Sequence, residues 1–107
     1  MSEYCPDRWV VLKFKSGDLI TRKLFGGWYG GYTGGDYWKL NSGITEVRVD
    51  SHTYEFDGYS GSTYICHRNG HGMSGFQMGI LANWIAQAEK RGDYEIKEIA
   101  LEDIVFC

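Results

Sequence analysis

Ser74-Gly-Phe-Gln-Met-Gly-Ile-Leu-Ala-Asn-Trp-Ile-Ala-Gln-Ala-Glu-Lys-Arg-Gly92 reads as one amphipathic helix, and every other periodic segment of the chain reads as strand. Ser74 and Gln77 have the S-x-x-Q spacing of a capping box, in which the hydroxyl accepts from the backbone N–H three residues on and the amide reaches back. Behind the cap, Phe76, Ile80, Leu81, Trp84, Ile85 and Ala88 recur at helical spacing and predict an apolar stripe. Gln77, Asn83, Gln87 and Lys90 fall on the other face. Lys90 and Arg91 suit the negative end of the helix dipole, and Gly92 stands where a left-handed C-cap falls. A helix stop therefore accounts for the Arg91-Gly92-Asp93 triplet.

Working outward, Trp9 to Phe14 and Leu19 to Phe25 are rich in β-formers. Ser16-Gly17-Asp18 separates them, which predicts a hairpin. Ile44 to Val49 reads as a strand ending at Asp50-Ser51. Tyr54 and Phe56 alternate with Glu55 and Asp57, and Thr63 to Arg68 forms another β run across the turn Gly58-Tyr59-Ser60-Gly61. Tyr94 to Ile99 is a last strand. The expected fold is α+β: a mostly antiparallel twisted sheet of about five to six strands with one helix, residues 74–91, packed on one face. It occupies a single domain, residues 1–107.

Composition narrows the function. The chain has 107 residues and a net charge of −3, which gives no general attraction for nucleic acid or an anionic membrane. No apolar run approaches the ~18 residues of a membrane span. Cys5, Cys66 and Cys107 are odd in number and the first residues lack a secretory pattern, so a reduced, cytoplasmic protein is expected. A Cys5–Cys107 disulfide is the alternative for the terminal pair.

Of 15 glycines, 12 lie between Gly26 and Gly75. Residues 26–37 read GGWY-GGYT-GGDY, three glycine pairs at an interval of four with an aromatic in each unit. This predicts a loop from Gly26 to Trp38. Its aromatics are either core residues or a contact surface. Ordering each glycine costs up to ~1 kcal/mol more than ordering alanine, which favours a binding role. The ligand-binding set is Trp28, Tyr29, Tyr32, Tyr37 and Trp38 with Lys39, the loop glycines Gly30, Gly31, Gly34 and Gly35, and Arg68 and His71 from the approach to the helix.

The segments WYGGYTGGDYWKLNSGIT (Trp28–Thr45) and YEFDGYSGSTYICH (Tyr54–His67) resemble small uncharacterised proteins of tailed bacteriophages. The resemblance implies a viral protein at work in a bacterial host cell, where such proteins counteract host defence by binding. It carries over no catalytic residue.

Three other patterns weigh less. Gly70-His71-Gly72-Met73-Ser74-Gly75 matches G-x-G-x-x-G, but most of the chain precedes it, whereas a dinucleotide fingerprint belongs to the first strand of its fold. His52, Cys66, His67 and His71 are zinc-ligand types, yet Cys66 and His67 are strand neighbours that point to opposite faces. No general acid–base pair stands out.

The expected function is thus non-enzymatic sequestration of a nucleotide-like signal, with aromatics stacking on the base and Arg68 or Lys39 taking phosphate. The first alternative is docking of the same loop, with Trp28 and Tyr32 as anchors, on a host defence protein. The second is a small nucleotide hydrolase that uses His52, His67 and His71. No cofactor or metal is expected, and a homodimer or larger oligomer would suit a pocket built between subunits.

Overall fold

Gly17 and Asp18 alone span the first turn, because Ser16 pairs directly with Leu19. Gly17 has φ 59, as the first central position of a type II′ hairpin turn requires. The turn joins β2 (Arg8–Ser16) to β3 (Leu19–Trp28), and these two long strands form the centre of the molecule. The computed structural model describes residues 3–30 and 35–104.

The remaining strands are β1 (Glu3–Tyr4), β4 (Tyr37–Leu40), β5 (Ile44–Val49), β6 (Thr53–Gly58), β7 (Thr63–His67) and β8 (Glu95–Ile99), with α1 (Gly75–Arg91) between β7 and β8. They make two four-stranded sheets, an outer one ordered β1-β7-β6-β5 and an inner one ordered β4-β3-β2-β8. All described pairings of these strands are antiparallel except β1 with β7. The α+β class and the antiparallel pairing hold. The expectation of one sheet of five to six strands is corrected to eight strands in two sheets.

The reason lies in Trp9-Val10-Val11-Leu12. All four side chains are at most 1% exposed, so β2 is covered on both faces. Trp9 and Val11 join Leu24, Tyr54, Phe56, Tyr64 and Cys66 in a core between the sheets. Val10 and Leu12 join Phe25, Leu81, Ala88 and Ile96 in a second core beneath α1. The layers are therefore outer sheet, inner sheet, helix. Truncating a buried Trp or Phe typically costs about 3–5 kcal/mol, and Trp9 also donates from Nε1 to the His67 carbonyl at 2.7 Å.

Both helix ends form as the sequence predicts. Ser74 accepts from the Gln77 N–H, Gln77 Oε1 accepts from the Ser74 N–H, and Gly92 closes the helix at φ 76. The faces differ from the expectation at two positions. Phe76 is 39% exposed, whereas Gln77 is fully buried. A side chain at the third helical position points back over the cap and down onto the sheet. There the Gln77 Nε2 donates to the Phe25 carbonyl at 3.4 Å and the Arg8 carbonyl at 3.5 Å.

Gly27 makes room for this. A Cβ at position 27 would lie 2.4 Å from the Gln77 Cδ. Gly27→Ala is expected to lower stability by about 1–3 kcal/mol through overpacking against a hydrogen-bonded amide. Gly35→Ala, with nothing within 4 Å of the added carbon, serves as the control and leaves stability unchanged. Urea unfolding midpoints of the two variants check both.

Candidate functional site

The segment expected as a loop from Gly26 to Trp38 is a hairpin with a paired base. Gly26 pairs with Lys39, Gly27 with Trp38 and Trp28 with Tyr37, so only residues 29–36 connect the strands. Tyr32, Gly31 and Gly34 lie outside the described residues, as does Cys107 of the Cys5–Cys107 alternative. Gly30 and Gly35 flank that segment: the Gly30 N–H donates to Asp36 Oδ1 at 3.1 Å, and Gly35 faces open space.

Strand alternation divides the aromatics between two faces. On the face toward the outer sheet, Trp28 stacks on Tyr37 with centroids 5.1 Å apart and planes 3° from parallel. Tyr4 meets Trp28 edge-on at 6.4 Å and lies 5.1 Å from Tyr64. Lys39 Nζ sits 4.9 Å over the Tyr4 ring. The Trp28 Nε1 donates to the Cys5 carbonyl at 3.1 Å, anchoring the row to the N-terminal strand. On the helix face, Trp38 packs edge-on against Phe25 at 6.0 Å and Trp84 at 5.1 Å. Trp28, Tyr37 and Trp38 are therefore each seated against another ring. Tyr29 is 56%, Tyr37 50% and Trp38 40% exposed.

Arg68 belongs elsewhere. It lines a hollow with Ser51, His52, His67 and Asn69, none of which is on the hairpin. Among the described residues, the structure does not bring the hairpin aromatics and Arg68 to one hollow. The three histidines also separate: His52 and His67 share that hollow, while His71 packs against Trp9 at 4.8 Å. Sequence reading named His52 and His67 only as members of a metal or hydrolase set. Their grouping follows from the β6–β7 register, in which Thr53, next to His52, pairs with His67.

The G-x-G-x-x-G match serves a connection between sheets. The preceding β7 belongs to the outer sheet and the strand after α1, β8, to the inner one, so no parallel β-α-β unit forms. Its glycines allow close backbone approach: the Gly72 N–H donates to the Trp9 carbonyl at 2.8 Å, and a Cβ at Gly70 would lie 2.8 Å from the Asp7 carbonyl. Cys66 is fully buried, and burial pushes its thiol well above the usual range. Among the described residues, no group of three or more His, Cys, Asp or Glu side chains gathers to hold a metal. No helix is long and apolar enough to cross a membrane. Compared with known proteins, the chain matches no family model, no curated protein and no solved structure.

Burial lowers the proton affinity of His71, with Arg8 acting in the same direction and Glu98 and Glu102 against it. Its Nε2 is buried with no hydrogen-bond partner among the described residues. The folded imidazole thus gives up its proton at a lower pH than the unfolded one, near 6.5. Below that pH the unfolded state holds more protons, so stability falls as the solution is acidified. The wild type is expected to lose stability between about pH 7.5 and pH 5, and His71→Phe, which keeps an aromatic beside Trp9, to lose less. Denaturant midpoints at the two pH values decide it; equal losses would assign the dependence to other groups.

Proposed function

We propose that this is a non-enzymatic binding protein that engages another protein through the open edge of the β3–β4 hairpin. The observation that carries this reading is the contrast among the four sheet edges. An unpaired edge invites strand addition, and proteins normally guard it with short length, bulges or charge. β1 is two residues long. β5 is irregular between Ile44 and Glu46, and its Arg48 is tied to Glu46, Glu55 and Asp57 at 2.8–3.3 Å. β8 carries Glu95, Lys97 and Glu98. β4 instead presents half-exposed Tyr37 and Trp38 on an edge that no strand among the described residues pairs with, and Lys39 is its one charge.

Tyr and Trp are the residues that dominate binding energy at interfaces, and a strand edge supplies backbone hydrogen bonds to an extended partner segment. Small-molecule sequestration at the same aromatics is less well supported. A small ligand requires a concavity that buries ~70–90% of its surface, and the most marked hollows among the described residues lie along Lys13, Lys15, Asp93, Tyr94 and Lys97 or beside His52 and Arg68. The resemblance to tailed-phage proteins makes a bacterial host protein the partner.

A photo-crosslinking residue placed at position 37 is expected to capture a partner from host lysate, and the same residue at position 97 on β8 to capture none. Tyr37→Ser then weakens the isolated complex about tenfold or more without loss of folding. Capture from β8 alone, or undiminished affinity of the variant, would refute the reading.

A further inference from the structure

Arg68 lacks the carboxylate partners of Arg48 and Arg91 and, like Arg8, is held by a backbone carbonyl. Arg48 is held by three carboxylates and Arg91 by Asp93 at 3.0 Å. Arg68 has no carboxylate partner among the described residues. Its guanidinium lies 4.9 Å over the Tyr54 ring, and Nη2 donates to the Asp50 carbonyl at 3.2 Å. The ring and the carbonyl fix its orientation and leave its charge uncompensated.

The surroundings extend it. The β6–β7 ladder runs through Thr53 and His67, and the Arg68 N–H still reaches the His52 carbonyl at 2.8 Å. Beyond that point the chain on one side enters the short turn Arg68–Gly70 and on the other the turn closed by Asp50 and Thr53. The two segments part around a hollow of about 350 Å³ lined by Ser51, His52, His67, Arg68 and Asn69. Each of these five side chains can donate a hydrogen bond, and none is an acid. The adjacent Asp50 turns its oxygens to its own turn: Oδ1 accepts from the His52 and Thr53 N–H groups and Oδ2 from the Thr53 hydroxyl, which hold it below the usual carboxylate range and ionised, so that it also draws on His52.

We infer that this hollow is an oxyanion site for the phosphate group of a small phosphorylated molecule, with Arg68 as the fixed cation and His52 and His67 as flanking donors. Guanidinium and imidazolium groups make charge-assisted hydrogen bonds to phosphate oxygens, and the Ser51 hydroxyl and Asn69 amide supply neutral donors. The inference stands apart from the hairpin reading, since the two surfaces share no residue and each can fail alone.

Inorganic phosphate is the probe, titrated into the intact protein in a chloride buffer and followed by NMR of the imidazole groups and of the backbone amides of Ser51, His52 and His67 to Asn69, the amides giving the affinity where the imidazoles are replaced. Saturable shifts of His52 and His67, with His71 unmoved, are expected below about 10 mM phosphate. Arg68→Met, and separately the exposed pair His52→Gln with His67→Gln, should each weaken binding about tenfold or more, while Arg91→Met leaves it unchanged. The histidine pair keeps the test valid if loss of the Tyr54 contact unfolds the arginine variant. No saturation in that range, or equal affinity in the histidine variant, would overturn the assignment. A single-stranded oligonucleotide that shifts both histidines where phosphate does not would also overturn it, in favour of a nucleic-acid backbone.

Discussion

Everything in the fold depends on β2 being buried from both sides. Its backbone is paired along its length with β3 and, from Val11 to Lys15, with β8. Before β8 begins, Gly72 takes over that edge through the Trp9 carbonyl. With the backbone satisfied, alternate side chains feed two different cores. A strand with one apolar face has its register set by alternation, because a slip of one residue exposes the whole apolar set. β2 lacks that protection, since both of its faces are apolar. Size and polarity set the register instead. Trp9 fits among Tyr54, Phe56 and His71 and finds the His67 carbonyl for its N–H. On the opposite face, the Arg8 and Phe25 carbonyls receive the Gln77 amide over Gly27. Moving β2 by one residue would place an indole against the helix and take the Arg8 acceptor from a buried amide.

Local chemistry was legible in the sequence and layer assignment was not. The capping box at Ser74 and Gln77, the Gly92 stop, the Gly17-Asp18 turn and the Gly58–Gly61 turn are each specified by a few adjacent residues, and each formed. Whether a run such as WVVL is covered once or twice depends on segments distant in the chain, and the run by itself fits either. A continuous apolar stretch is nevertheless the pattern of a strand covered on both faces, and it was the available signal for the second sheet. The Gln77 burial was harder to read. Its polar side chain belongs on a helix exterior by composition, and only the glycine across from it, 50 residues away, makes the interior position favourable. Strands β1 and β4 are two and four residues long, below the length at which periodicity can be read.

The glycine and aromatic segment shows the same division. Of the five aromatics that composition marks as contact residues, Tyr29, Tyr37 and Trp38 are exposed, Trp28 is half-buried and Tyr32 lies outside the described residues. Trp28, expected to stack on a ligand, already stacks on Tyr37 across the strand pair. The partners of Arg68 were not readable, because His52 comes to it through a ladder whose register the sequence does not state. Charge arithmetic over the whole chain also concealed it: a net value of −3 averages the acids around Arg48 with an arginine that none of them reaches.

The first glycine pair explains why a flexible-looking sequence can present a fixed surface. Gly26 lets Pro6 approach, with a Cβ there only 3.1 Å from the proline ring, and Gly27 admits Gln77 from the other side. The base of the hairpin is thereby clamped between the N-terminal segment and the helix. The Asp7 carboxylate accepts from the Tyr29 N–H at 2.9 Å, and the Cys5 carbonyl accepts from Trp28. These contacts are made before any partner arrives. Ordering a contact surface on binding costs about 0.5–1.5 kcal/mol for each side chain immobilised. Aromatics with only two side-chain torsions, mounted on a clamped strand pair, avoid much of that cost. The glycines of the first pair thus act through rigidity at the base of the hairpin.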